Sequence, residues 1–385
     1  MKKVLLALAA LSLSTAHAQS SVTIYGLLDL GVVNAKNVGA ANGSSTHFLT
    51  HPMDTSRLGF RGEEDLGGGL KSGFQLESSI NVDDGSQGTS ASSGVANATF
   101  SRGANVYLSS TQYGRVTIGR FLNPAYSAFL VGEARPGKNF GGAVNIWNDG
   151  SSFGGTSTAK TGISSFTGTT FISDAFRLDT PVWKGFQGTV VRSLGGVAGE
   201  NDLGNINASR RTQYIANYNR GNFGSAVGYQ TATNATGVTV AETTTVGARY
   251  KFNKLTMAGG WANFNNPNAS AGSANTDFDL YQVSGLYETT AKTDISLGYY
   301  DLKDNVNGAN GAKMYTAIGY YHFSKRTAAY AGYSVVDNRG ASGFAAYGGG
   351  LANLNTLTSS AQLPSVMQSA GQRQDAYVVG LTHRF

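Results

Sequence analysis

Arg57 and Arg61 share one parity in the stretch SRLGFRGEEDLGGGLKSGFQLES (56–78), with Leu58 and Phe60 on the other. Arg177 and Asp179 repeat the arrangement against Phe176 and Leu178. Side chains at this spacing in a strand stand on one face, so charge lines one side and apolar surface covers the other. Fixed positive charge of this kind favours anions, and low-dielectric walls focus its field. Bond-making chemistry has far less to work with. The chain after its leader carries four histidines, His47, His51, His322 and His383, and no cysteine. None stands in a metal-type cluster or beside a visible nucleophile, and no G-x-S-x-G or P-loop pattern occurs. The sequence therefore points to no enzyme, no cofactor and no metal site.

The elements that would position these charges are strands. About sixteen runs of roughly ten residues alternate with period two, starting near 21, 53, 69, 99, 114, 170, 185, 211, 222, 242, 255, 276, 292, 313, 326 and 374. Short connections such as EEDLGGG, STQYG, TPVWKG and FSKR alternate with long ones at 34–52, 82–98, 122–169, 194–210, 266–275, 302–312 and 337–373. An even set of antiparallel strands with short turns at one end and long loops at the other is the pattern of an all-β transmembrane barrel. A soluble sandwich would alternate too, but would not sort its loops by length. Orientation follows from cost: an arginine on the lipid face near the midplane costs about 2–4 kcal/mol, so Arg57, Arg61 and Arg177 face the lumen.

The ends and the composition agree. Lys2 and Lys3, the run VLLALAALSLS and the Ala16–His17–Ala18 box read as an export signal over 1–18, leaving 19–385 as one barrel domain. Loss of those lysines takes the formal charge from +6 to +4, too mild and too evenly spread for nucleic-acid binding. Glycine, at 52 of 385, is about twice its usual share. Tyr377, Val379, Leu381 and Phe385 share a parity in the last strand. An aromatic terminal residue closing such a strand looks like the tail read by outer-membrane assembly machinery.

The stretches SSVTIYGLLDLGV, SRLGFRGEEDLGGGLKSGFQLE, GRVTIGR, FRLDTPVWKGF, FSKRTAAYAGYS and VVGLTHRF resemble the trimeric general porins of Gram-negative bacteria, in the branch typical of β-proteobacteria. That resemblance implies a sixteen-stranded barrel, a homotrimer amid outer-membrane lipid and lipopolysaccharide, and passage of small hydrophilic solutes. It also implies that the third long connection, 122–169, folds into the lumen as a constriction opposite a ladder of arginines. Arg57 and Arg177 match ladder positions. Arg120 matches as well but has the lipid-facing parity of Val116 and Ile118, so it turns inward only past a strand end or a bulge near Gly119. Arg102 meets the same difficulty beside Val106 and Leu108. Where many such porins carry an acidic Pro-Glu-Phe-Gly-Gly wall, this loop has KNFGG, 138–142. Arg135, Lys138 and Lys160 against Glu133 and Asp149 give the loop a net of +1. An anion preference is expected, with Glu133 and Asp149 as the remaining acidic partners.

Overall fold

The computed structural model describes residues 21–38, 43–88, 98–148, 170–195, 210–233, 236–268, 277–340, 342–347 and 371–385. The export signal at 1–18, and Asp149 and Lys160 of the long connection, lie outside the described residues.

Strands β1 (Ser21–Val38), β2 (Gly43–Thr50), β3 (Arg57–Gly67), β4 (Leu70–Ile80) and the two-residue β5 (Gln87–Gly88) open the chain. They are followed by β6 (Gly103–Ser110), β7 (Gly114–Leu122), β8 (Phe171–Asp179), β9 (Phe186–Ser193) and β10 (Arg211–Arg220). Next come β11 (Phe223–Thr233), β12 (Thr239–Phe252), β13 (Leu255–Asn265) and β14 (Asp277–Glu288). The last are β15 (Thr293–Asp304), β16 (Gly311–His322), β17 (Thr327–Arg339) and β18 (Arg373–Arg384). Two short helices, α1 (Pro124–Leu130) and α2 (Ala143–Asn148), lie in the connection after β7.

Neighbours in sequence pair antiparallel, and β18 returns to β1, so the sheet closes and no edge is left for lipid. Both β2 and β3 pair with β1, as the outer and inner halves of one crossing interrupted by a knuckle at 51–56. With that crossing taken once and β5 set aside, sixteen strands span the barrel. At the seam Phe385 exchanges two backbone hydrogen bonds of 3.1 Å with Gly26. The first long connection is shorter than its sequence suggested. Residues 43–50 continue the ladder, with Asn34 donating to Thr46 at 2.6 Å across it, so only 39–42 separate β1 from β2.

Alternation sorts the faces. One cross-strand row over β6–β11 runs Leu108, Val116, Leu178, Val190, Tyr214, Tyr229, and every member is exposed on the outside. A band of that kind is stable only against hydrocarbon. Among the described residues no helix is long and apolar enough to cross a membrane; the strands do the crossing.

The main apolar cluster sits inside the barrel. Tyr126, Phe129, Phe140 and Trp147 of the long connection pack on Phe264, Leu280, Leu302, Met314 and Tyr330 of the wall. The connection thus folds into the lumen and lies along β10–β18. Close approach is made possible where three glycines meet: a Cβ on Gly247 would stand 2.6 Å from the nitrogen of Gly132, and Gly260 flanks the same point.

Candidate pore lining

The arginine-bearing wall is built from β3, β4 and the strand beginnings around them. Register places Arg61 opposite Thr23, with its guanidinium 5.2 Å from the ring of Tyr25. The Tyr25 hydroxyl in turn donates to Glu77 at 2.9 Å, so all three share the inner face. Arg57, opposite Leu27 on that face, is held by its own backbone, Nε donating to the Thr55 carbonyl at 2.8 Å. Arg102 pairs with Glu77 at 2.6 Å, both side chains being only 10% exposed. Its inward course has a simple cause: β6 starts at Gly103, so Arg102 precedes the strand and parity does not govern it.

Arg120 joins this group through a bulge. The β7–β8 register shifts between Gly119 and Phe121, where Gly119 takes φ +119° and Asp174 takes φ +50°. Arg120 donates to the Ser101 carbonyl at 2.7 Å and to Ser173 Oγ at 2.5 Å. Its guanidinium lies 5.5 Å from the Phe171 ring, which Arg102 approaches to 4.9 Å. The two heads therefore lie against the same ring. His51, in the knuckle beside Arg57 and Arg102, adds no charge: burial and those two cations push its imidazole down to about 4.

Arg177 belongs to a second group. Its Nε donates to both Asp179 oxygens, at 3.0 and 2.9 Å, and Thr189 donates to Asp179 at 2.6 Å. Arg115 lies nearby, stacked 3.5 Å from the Tyr107 ring centroid. Among the described residues no contact joins Arg177 to Arg57. Arg57, Arg102 and Arg120 thus lie in one group and Arg115 with Arg177 in another, both on the inner face.

In the described part of the loop the charged side chains are already engaged. Asn123 caps α1, its Oδ1 accepting from the nitrogens of Ala125 (2.9 Å) and Tyr126 (3.3 Å), with Pro124 in the first turn. Gln213 donates to the same oxygen at 2.8 Å and so ties the cap to the wall. Further on, Gln282 donates to the Phe129 carbonyl at 3.0 Å and the Ala134 nitrogen to Ser284 at 2.8 Å. Arg135 pairs with Asp294, donates to Ser296 at 2.8 Å and lies over the Tyr320 ring at 4.3 Å. Lys138 pairs with Asp54 of the knuckle at 2.7 Å; although burial opposes the charge of Asp54, Lys138 holds its carboxyl below the usual range.

Glu133 departs from expectation. Rather than facing the arginines as an acidic counter-wall, it is fully buried. Its carboxylate accepts from the nitrogens of Ala143 (2.7 Å) and Gly137 (3.0 Å) and from the Tyr300 hydroxyl (2.7 Å). Burial raises its pKa, against the pull of those three donors. The sequence could not show this, because the carboxylate points back into a turn whose path is set by the wall. Parity does reveal Glu77, on the inner face with Gln75. Asp54 sits in an aperiodic knuckle and has no such signal.

At the C-terminal seam Tyr377 and Phe385 stand on the outside, Tyr377 with its ring 4.7 Å from that of Tyr333. Among the described residues no three His, Asp or Glu side chains are placed to hold a metal.

Comparison with known proteins agrees with this architecture. The family model for Gram-negative porins matches residues 5–341. Outer membrane porin protein 32 of Delftia acidovorans is 30% identical over the full length of both chains. An outer membrane porin of Bordetella pertussis is 30% identical over 81% of this chain and 72% of its own. Among solved structures, the anion-selective porin from Comamonas acidovorans superposes with a TM-score of 0.74 at 23% identity, covering 95% of this chain and all of that one. The trimer form of OmpT from Vibrio cholerae gives 0.63 at 12% identity, over 95% and 99% of the two chains. The chain belongs to the Gram-negative porin family, and is an outer-membrane β-barrel that forms a diffusion channel for small hydrophilic solutes.

Proposed function

We propose that this channel prefers anions and works as a homotrimer without a catalytic step. The observation that carries the preference is the asymmetry of charge across the lumen. Arg57, Arg102 and Arg120 gather on one wall around Glu77, so that after the Arg102–Glu77 ion pair two cations remain in excess, while the described loop residues offer no exposed acid. Arg135 and Lys138 are ion-paired and Glu133 is sealed. A narrow passage between a cationic wall and an uncharged loop face raises the local anion concentration. The relative from Comamonas is itself described as anion-selective, and OmpT has a trimer form; both lend support.

Residues 1–18 are assigned as a cleaved export signal, and 122–169 as the constriction loop, with Asp149 beyond the described part of it. The outward Tyr377 and terminal Phe385 are assigned to recognition by the barrel-assembly machinery, and the outer band to lipid and lipopolysaccharide. The test is the zero-current potential of purified protein in a bilayer under a potassium chloride gradient. A potential of the sign set by chloride supports the reading, and one set by potassium refutes it.

A further inference from the structure

The two rims of the barrel carry charge in different ways. Near the long-loop end, the outward row Asp301, Lys313, Asp337, Arg373 crosses four strands with opposite charges face to face. Such a row neutralises itself. At the short-turn end, Lys184, Arg220, Lys254, Lys292, Lys325 and Arg326 are exposed, and no ion pair among the described residues involves any of them. The turns that carry them are clipped in series by backbone hydrogen bonds. Asn219 donates to Gly185 at 2.9 Å, Lys251 to Asn222 at 3.0 Å, Glu288 to Lys254 at 2.9 Å, His322 to Lys292 at 2.7 Å and Arg384 to Arg326 at 2.8 Å. They form one basic arc. Acidic side chains at this end include Glu63, Glu64 and Asp65 on the β3–β4 turn, and Glu288 within the arc, which is neutralised by Lys251 at 2.5 Å.

Rings follow the arc. Phe186 and Tyr218 lie 4.4 Å apart, Tyr218 and Phe223 5.9 Å, Phe223 and Tyr250 6.5 Å, and Tyr250 and Phe252 4.3 Å. Tyr321 and Phe323 continue it at 5.1 Å. Aromatic residues in such a girdle sit at headgroup level, which puts the lysines of the short turns among the phosphates of the periplasmic leaflet. Between two of those turns the outer wall is grooved. A furrow of about 550 Å³ runs over β13–β15, flanked by Leu255, Met257, Tyr287, Ile295 and Leu297. Its floor is Gly285, which pairs with Met257 on one side and Leu297 on the other. The furrow ends at Thr289, in the turn that carries Lys292, and Lys254 precedes Leu255 at its other flank.

We propose that this rim holds an anionic phospholipid of the periplasmic leaflet, with its phosphate at Lys254 and Lys292 and an acyl chain along the Gly285 furrow. Charge complementarity selects the headgroup, and the apolar furrow continuous with it accepts the tail. The furrow lies on the outer face, away from the lumen, and the two lysines stand in the exposed turns at its end.

Native mass spectrometry of detergent-purified protein mixed with phosphatidylglycerol or phosphatidylethanolamine tests this. Phosphatidylglycerol is retained about tenfold more strongly, a difference that shrinks with salt. K254Q/K292Q removes that preference, K254R/K292R keeps it, and G285L lowers retention of both lipids. Single-channel conductance, recorded on the same preparations, stays unchanged and separates this proposal from the channel reading. Equal retention of the two lipids, or a preference that survives K254Q/K292Q, overturns it. A change in subunit stoichiometry on G285L also overturns it, by marking the furrow as a contact between copies.

Discussion

The two inner walls of the barrel obey the same alternation and do opposite things with it. Around β3–β8 the inward positions carry Arg57, Glu77, Arg115, Arg177 and Asp179, held by hydrogen bonds, with Arg177 about a third exposed and the carboxylates of Glu77 and Asp179 buried beside their cations. Around β13–β18 the inward positions carry Phe264, Leu280, Leu302, Met314 and Tyr330, all buried beneath the infolded loop. One wall is lined by charge; the other provides an apolar bed for the infolded loop. The described cations of the loop pair with carboxylates of the barrel and knuckle, Arg135 with Asp294 and Lys138 with Asp54. Those charges position the loop, and under the proposed anion preference the field in the channel is assigned to the wall opposite.

The largest effect should follow from attacking the charged wall. R57E/R102E reverses two of its cations and is expected to carry the zero-current potential across zero, an anion-to-cation change of about tenfold. A potential that stays on the chloride side would place the field elsewhere. Next in size is the apolar bed. Trp147 is fully buried against Tyr126 (5.4 Å), Phe129 (5.0 Å) and Phe264 (5.8 Å). W147A should weaken loop seating by about 3–5 kcal/mol, with larger, noisier conductance steps and faster proteolysis within 122–169, while the anion preference keeps its sign.

How much of this contrast was legible in advance differs between the walls. The strand count, the antiparallel closure and the inward parity of Arg57, Arg61 and Arg177 follow from period-two alternation, because in a closed barrel each inward residue has only lumen to face. Arg102 and Arg120 escaped the rule for local reasons: one precedes its strand and the other sits at a bulge. Leu280 and Leu302 were harder, since an apolar residue on the inner parity reads as an error until something covers it. What covers them is a loop without periodicity, fixed in place by contacts far along the chain such as Arg135 to Asp294. The sealed position of Glu133 was hidden by the same long-range dependence.

Two smaller effects sharpen the contrast from the loop side. D294N removes the charged partner of Arg135 and should cost loop seating about 1–3 kcal/mol, seen as more frequent brief closures with unchanged selectivity. The smallest expected effect is that of E133Q, which keeps the two hydrogen bonds at Oε1 and loses the one from Gly137. Because the pKa of Glu133 is raised when the loop is seated, its contribution is full at pH below the ordinary carboxylate value and is lost as pH rises through the raised one. Closures of the unaltered channel should therefore become rarer on acidification, and E133Q should flatten that dependence.

Which charges the solute meets is reached directly by one paired measurement. Zero-current potentials under the same potassium chloride gradient are compared for R57Q/R102Q and D54N/K138Q. The first pair removes wall charge; the second removes a loop cation together with its partner. The anion preference should fall steeply in R57Q/R102Q and stay near that of the unaltered channel in D54N/K138Q. A preference that survives the first and collapses in the second would show that the loop, and not the wall, sets the field.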